Sequence, residues 1–189
     1  MPNETQRQRY EREWAAIGLE SDEYRTMRYA TAIHEAGHAV IGTVLGMLCG
    51  STSIEPDDDS GGHGIIHDPD DIDDAWRRQG RYRKLSTVFV GRIMSFMAGA
   101  EAEVEICGAC QGGDGDDRHQ IARMMMSRWL HIPRYEEDGD GSVERFEAKL
   151  RARTRGLVRR HRDKIERVAA ALLAQRTLTA EEVETVMRE

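Results

Sequence analysis

One stretch of the sequence restricts the fold and the chemistry more than any other: two histidines four residues apart inside a long helical pattern. The pattern His34-Glu-Ala-Gly-His38 lies within Glu23 to Leu48, where apolar residues recur at helical spacing. Residues at i and i+4 share one helix face, so both rings can reach one cation at about 2.0–2.1 Å, the distance typical of zinc. Glu35 lies beside that face, where its carboxylate can take a proton from a water bound to the cation. The alternative, two ordinary helix histidines, requires chance to produce a pattern expected about 0.03 times in a shuffled chain of this composition.

A catalytic zinc site usually has three protein ligands and one open position. Eight residues are candidates for the third ligand: His63, His67, Glu101, Glu103, Asp114, Asp116, Asp117 and His119. For the helical glutamates Glu101, Glu103 and Glu105 we expect a solvated face. The run from Gly112 to Asp117 has the composition of an acidic turn, but its position just before a helix allows one carboxylate to point at a fixed site. The residues alone leave the choice open.

The periodicity of the chain predicts a mainly α fold, a helical domain with one small β-hairpin near the histidine helix. Its length predicts a single domain over 1–189, with 1–22 as an N-terminal extension and 142–189 as C-terminal helices. The hairpin strands are expected over Ser51–Ile54 and His63–His67, and the acidic, turn-rich stretch from Asp68 to Gly80 is predicted to be a mobile loop. Further helices are predicted over Lys84–Ile106, after a cap at Asp116 or Asp117, over Ser142–Gln175 as one helix or a pair, and after the capping box Thr179-Ala-Glu-Glu182.

Composition argues against several functional classes. The 189 residues carry a formal charge of −7, which argues against nucleic-acid binding through net charge. Arginines cluster between Arg145 and Arg167, but acidic residues alternate with them, as on a solvated helix face. The longest apolar run, Ala39 to Cys49, falls short of the ~20 residues that a membrane span requires. Since the polar N-terminus has no apolar signal core, we expect a cytoplasmic protein.

Several segments besides the histidine helix resemble the zinc peptidase domain of the FtsH-type proteases. The stretch Met97-Ala-Gly-Ala-Glu-Ala-Glu103, with Cys107-Gly108 after it, is similar to the family's small-residue helix. The stretch Gly113-Asp-Gly-Asp-Asp117 resembles the segment whose last aspartate is the family's third zinc ligand. His161–Glu166 and Thr177–Val183 look like parts of the family's C-terminal helices. The matches run in order along most of the chain.

The resemblance implies a site of four residues: His34, His38 and Asp117 as Zn²⁺ ligands, and Glu35 as the catalytic base. It also implies that the hairpin around Ser53 and Ile65 borders the cleft, with an exposed strand edge that could bind an extended substrate backbone. Because Asp114 and Asp116 are close neighbours of Asp117, either of them is an alternative ligand.

The sequence contains no G-x-x-x-x-G-K-[ST] phosphate loop, unlike the ATPase module of FtsH proteins. Our leading hypothesis is therefore a stand-alone, ATP-independent zinc metalloendopeptidase of the HExxH type that cleaves unfolded or flexible polypeptides. A separate unfoldase or adaptor and oligomer formation are compatible with it, whereas no nucleic acid and no membrane span are expected. The alternative is a non-catalytic, metal-containing binding or adaptor module. The presence of Glu35 favours the enzyme, because a site that had lost its catalytic activity would have no need of a base.

Overall fold

A computed structural model describes residues 22–56, 62–111, 114–127 and 142–189. Nearly all of the expected N-terminal extension lies outside these residues. Within the described ranges the elements are, in chain order, α1 (Asp22–Leu45), β1 (Cys49–Ser53), β2 (His63–Ile66), α2 (Pro69–Arg78), α3 (Leu85–Cys107), α4 (Gly115–Met125), α5 (Ser142–Arg160), α6 (Arg162–Gln175), β3 (Thr177–Leu178) and α7 (Ala180–Arg188). The prediction of a mainly α fold with a small β element is confirmed.

The central helix α1 carries the histidine pair and ends at Leu45 rather than at Leu48. Gly46 follows with a positive φ of 74°, a conformation that glycine adopts without steric cost. The Met47 N–H then donates to the Gly42 carbonyl at 2.9 Å and satisfies an acceptor of the last turn. The helix is thereby closed, and the chain turns into β1.

Helices α1 and α3 approach each other closely because both carry small residues at the contact. A Cβ at Gly37 would lie 2.7 Å from the Ala98 carbonyl oxygen and 2.9 Å from the Ala102 Cβ, so the contact requires glycine. On other sides of α1, buried aliphatic residues of α1 and α6 share one core: Ile33, Val40, Ile41, Ile165, Val168 and Leu172. Helix α1 is thus fixed between two packed neighbours, which makes it a rigid support for a site.

The predicted hairpin is present, but it belongs to a three-stranded antiparallel sheet in the order β2-β1-β3. Thr52 of β1 lies opposite Gly64 of β2, and Ser53 lies opposite both His63 and Thr177. The Ser53 and Thr177 hydroxyls are 2.9 Å apart. Strand β3 is only two residues long, so no periodic pattern in the sequence could predict it. Its pairing leaves β2 as an edge strand of the described sheet.

The prediction of a mobile loop from Asp68 to Gly80 was wrong, because most of this stretch forms α2. Pro69 occupies the first turn, where its missing N–H costs nothing. Ile72 and Trp76, four residues apart, are buried at 0% and 3% exposure, and the Trp76 indole donates to the Gly46 carbonyl at 2.7 Å. The burial of these two side chains stabilises a helix here, despite the acidic composition that suggested a loop.

Three further predictions concern where helices begin and end. The prediction that Asp116 or Asp117 caps α4 was wrong, because the helix begins after Asp114 and both residues lie in its first turn. The segment from Ser142 to Gln175 is a pair of helices, separated at His161. The predicted capping box at α7 is confirmed, since the Thr179 N–H donates to the Glu182 carboxylate at 2.7 Å and the Glu182 N–H donates to the Thr179 hydroxyl at 3.3 Å. None of the described helices combines the length and apolarity needed to cross a membrane.

Candidate metal centre

Three side chains that the sequence singled out converge at one point between α1, α3 and α4. The Asp117 Oδ2 atom lies 3.0 Å from the His34 Nε2 atom and 3.1 Å from the His38 Nε2 atom. One ligand atom from each residue falls within 4.8 Å of the other two, a spacing that could hold a metal ion. The histidine rings are buried and stand edge to face, with centroids 4.6 Å apart. Two nitrogens and one oxygen suit Zn²⁺, which takes imidazole and carboxylate ligands in catalytic sites.

The other nitrogen of each ring is held by α3. The His34 Nδ1 atom lies 2.6 Å from the Glu103 Oε1 atom, and the His38 Nδ1 atom donates to the Ser95 carbonyl at 2.8 Å. Because a carbonyl can only accept, the His38 proton belongs on Nδ1 and its Nε2 lone pair faces the centre. The carboxylate of Glu103 favours the same tautomer for His34. Such outer contacts orient histidine ligands in metal sites.

Gly99 of α3 closes the space around both rings. A Cβ at this position would lie 2.5 Å from the His34 Nε2 atom and 2.6 Å from the His38 Nε2 atom. Atoms cannot approach that closely without displacement, so any side chain at residue 99 would occupy the point where the ligand atoms converge. The absence of a side chain is therefore a requirement of this centre, and together with the donor set it shows that the residues present fit a metal ion.

Glu35 lies beside this centre, under the hairpin. It is 6% exposed, and its Oε2 atom has no hydrogen-bond partner among the described residues. Burial raises the pKa of the Glu35 carboxyl, although the nearby His38 and His34 oppose this. For Asp117, burial alone would also raise the pKa, but charge and hydrogen bonds from His38 and His34 hold it well below its usual range. The two carboxyl groups therefore differ in character: Glu35 accepts a proton more readily than a free carboxylate, and Asp117 stays ionised.

Among the described residues, no other candidate for the third ligand belongs to the group of ligand atoms around the two histidines. Asp114 pairs with Arg118 at 2.6 Å, and His67 lies 3.8 Å from Asp71. The remaining surface candidates are exposed: His63, Asp116 and His119. Among the described residues, the grouping of potential ligands contains Asp117 and neither of its acidic neighbours.

The expectation of a solvated glutamate face on α3 was wrong for Glu101 and Glu103, which are 4% and 3% exposed. Glu103 turns inward, where it contacts His34 and accepts from the Gln111 N–H at 2.7 Å. Glu101 accepts from the Arg155 guanidinium at 2.8 Å. The spacing of the three glutamates does not distinguish these roles, because they depend on which helix packs against each face.

The arginines of α5 are partly neutralised by α3. Arg155 pairs with Glu101, and Arg159 pairs with Glu105 at 2.7 Å. Arg151 lies 2.9 Å from Glu147 on its own helix. The first two pairs link α5 to α3, and all three lower the positive charge that a nucleic acid would require.

The zinc-dependent metallopeptidases share several features with this site. They have a helix bearing His-Glu-x-x-His, a third metal ligand outside that motif, which can be a carboxylate, and an edge strand beside the centre. No protein-family model matches the chain. The "ATP-dependent zinc metalloprotease FtsH 1" of Symbiobacterium thermophilum is 30% identical over 182 residues, covering 85% of this chain and 29% of that protein. The "ATP-dependent zinc metalloprotease FtsH" of Metamycoplasma arthritidis is 25% identical over 193 residues, covering 84% of this chain and 25% of that protein.

The similarity extends to other organisms, including "ATP-dependent zinc metalloprotease FtsH 3" of Phytoplasma mali, 26% identical over 174 residues. This chain spans less than a third of the length of these relatives, since it covers 25% to 29% of each. The similarity to FtsH proteases over about 85% of this chain supports an FtsH-type peptidase region and confirms the resemblance seen in its motifs.

Proposed function

We propose that this region is a zinc-dependent peptidase that hydrolyses peptide bonds in unfolded or flexible polypeptides without using ATP. The observation that carries the proposal is the convergence of His34, His38 and Asp117 beside the buried, unpartnered Oε2 atom of Glu35. Burying a carboxylate oxygen without a hydrogen-bond partner costs free energy, so a functional role is a good explanation for it. The role that fits a carboxylate beside a metal centre is that of a base.

In this proposal His34, His38 and Asp117 hold Zn²⁺. When bound, Zn²⁺ lowers the pKa of a coordinated water to about 7 and polarises the scissile carbonyl. Glu35 accepts a proton from the attacking water and returns it to the leaving amine, so it acts first as base and then as acid. Its raised pKa favours this second step, because a protonated carboxyl in a buried site is a competent donor.

The edge strand β2 is the proposed place for the substrate backbone. It borders the site directly, since a Cβ on Gly64 would lie 3.3 Å from the Glu35 Oε2 atom. On the other face of the strand, Ile65 is 46% exposed and gives an extended peptide an apolar contact. A peptide that adds to an edge strand must itself be extended, so flexible chains are the expected substrates and folded domains should resist cleavage.

The independence from ATP is proposed from this chain's own residues, which include no phosphate loop of the G-x-x-x-x-G-K-[ST] type. The FtsH relatives are described as ATP-dependent. Peptide hydrolysis releases free energy by itself, so the chemistry at Glu35 needs no nucleotide. Only the unfolding of a substrate would require one.

The test is to incubate the purified protein with an unstructured polypeptide, with and without a metal chelator, and with and without ATP. Cleavage should stop with the chelator, return when Zn²⁺ is restored, and stay unchanged with ATP. The Glu35→Gln variant, prepared identically, controls for a contaminating protease. Cleavage that survives removal of the metal, or that equals the parent's in Glu35→Gln, would contradict the proposal.

A further inference from the structure

A second buried polar atom without a partner lies on the sheet beside Glu35. The Thr52 hydroxyl, on a residue that is 1% exposed, has no hydrogen-bond partner among the described residues. Leaving a buried hydroxyl unpaired costs free energy, and a β-branched apolar residue would suit a strand equally well. The hydroxyl therefore requires an explanation.

The two unpartnered oxygens face the same small volume. Thr52 and Gly64 are opposite each other in the β1–β2 register. A Cβ at Gly64 would lie 3.3 Å from the Glu35 Oε2 atom, 3.5 Å from the Thr52 Oγ1 atom and 3.9 Å from the His38 Cβ atom. Since Gly64 has no side chain, nothing of its own separates the hydroxyl from the carboxylate.

Gly62, immediately before β2, lies against the other carboxylate oxygen. A Cβ at Gly62 would lie 3.1 Å from the Glu35 Oε1 atom and 3.0 Å from the Thr31 Cγ2 atom. These contacts place Gly62, Gly64 and the Thr52 hydroxyl on the side of the hairpin that faces α1. Among the described residues of the hairpin, the side-chain hydroxyl that faces Glu35 at this point is that of Thr52.

We propose that Thr52 is a positioning residue for Glu35: its hydroxyl hydrogen-bonds to the Glu35 carboxyl through one bridging water and holds it toward the metal centre. The inference rests on the proposed function for its catalytic meaning. A hydroxyl both donates and accepts, so it can donate to the ionised carboxylate and accept from the protonated form. It therefore suits a group that must act as base and then as acid. Glycine at residue 64 is required because a methyl group there would enter the shared volume.

The first experiment separates positioning from packing. Thr52→Val keeps the shape and removes the hydroxyl, whereas Thr52→Ser keeps the hydroxyl and removes a methyl group. With an unstructured polypeptide as substrate, Thr52→Val should lower kcat about tenfold, the scale of one hydrogen bond to a charged group, with KM and bound zinc unchanged. Thr52→Ser should retain most of kcat. In a Glu35→Gln background, Thr52→Val should cause no further loss of kcat.

The second experiment needs neither zinc nor activity. A double-mutant cycle on the metal-free protein combines Thr52→Val with Glu35→Leu and measures the unfolding equilibrium in urea. If the two groups are bonded, the cycle should show coupling of about threefold or more in the unfolding equilibrium constant. Thr154→Val is the matched control, since Thr154 is buried and donates to the Leu150 carbonyl at 3.0 Å on α5. It should lower stability additively with Glu35→Leu.

Each outcome is decisive. Absence of coupling, or a Thr52→Val variant with the parent's kcat, would overturn the inference and leave Thr52 as a packing residue. If Thr52→Val does not fold, Thr52→Ala removes the same hydroxyl with a smaller side chain and replaces it in both experiments. If the parent protein cleaves nothing, the proposed function fails, while the metal-free cycle still decides whether Thr52 holds Glu35.

Discussion

The Glu103 carboxylate lies 2.6 Å from the Nδ1 atom of His34. A buried acid of α3 therefore holds a histidine of α1 on the side of the ring that faces away from the metal centre. The contact joins residues 69 positions apart in the chain. It sets the direction of the opposite ring nitrogen, which lies 3.0 Å from Asp117. The geometry of the centre therefore depends on how α3 packs on α1, as well as on the His-Glu-x-x-His pattern.

We expect Glu103→Gln to weaken zinc binding about 10–100-fold, the effect typical of losing a residue that orients a metal ligand. The amide keeps the size of the side chain but cannot hold the His34 N–H as a charged acceptor. Titration of the metal-free protein against a chromophoric zinc chelator measures the affinity.

Glu101→Gln is the matched control for that variant. Glu101 is a buried carboxylate on the same helix, but it accepts from Arg155 rather than from a histidine. Its loss should lower stability and leave zinc affinity unchanged. Equal affinities for the two variants would show that Glu103 does not orient His34.

The sequence allowed the histidine helix, the hairpin and the capping box at Thr179 to be predicted, because each depends on neighbouring residues. The roles of Glu101 and Glu103 could not be predicted in this way, since both lie on one helix and differ only in the partner that packs against them. Gly99 was part of a recognised motif, but its contact with the histidines is visible only when α1 and α3 are packed together.

Helix α2 shows why composition misled us. Acidic residues at its start and arginines at its end match the helix dipole, so the same charges that suggested a loop stabilise a short helix. Ile72 and Trp76 supply the buried face, and the stretch between Asp68 and Gly80 is too short for two apolar residues to form a clear periodic pattern.

We therefore expect Ile72→Ala to destabilise the protein by about 2–5 kcal/mol, the cost of removing a fully buried aliphatic side chain. In a mobile loop the same change would cost close to nothing. Urea unfolding followed by circular dichroism gives the free energy of unfolding. Asp74→Ala, on the exposed side of the same helix and away from its first turn, should change it by less than about 0.5 kcal/mol.

Four variants separate the proposed base from the proposed ligand. Glu35→Gln should retain zinc and the fold but lower turnover by about 10²–10⁴-fold, the share of general-base catalysis. Asp117→Asn should weaken zinc binding as well as activity, because an amide oxygen replaces an ionised ligand poorly. Asp114→Asn and Asp116→Asn should leave zinc affinity close to that of the parent. If one of those two released the metal instead, the assignment of Asp117 would be wrong although the enzyme class could stand.

The close approach of α3 to the histidines gives the most direct structural test. In Gly99→Ala, the added methyl group would lie 2.5 and 2.6 Å from the two Nε2 atoms, so α3 or the rings must move. We expect the variant to bind zinc at least about tenfold more weakly and to lose activity in proportion, because metal sites tolerate displacements of only about 0.5 Å. Isothermal titration with Zn²⁺ measures the first effect, and cleavage of an unstructured polypeptide measures the second.

Gly156→Ala is the control for helix propensity. Gly156 lies within α5, and a Cβ there would contact nothing within 4 Å. Replacing it should stabilise the protein by about 0.4–1 kcal/mol through the unfolded state and leave zinc binding unchanged. The two substitutions are chemically identical, so opposite results would locate the metal between α1 and α3, against the backbone of residue 99. If Gly99→Ala bound zinc as tightly as Gly156→Ala, the ion would have to sit elsewhere, and the convergence of His34, His38 and Asp117 would not be its site.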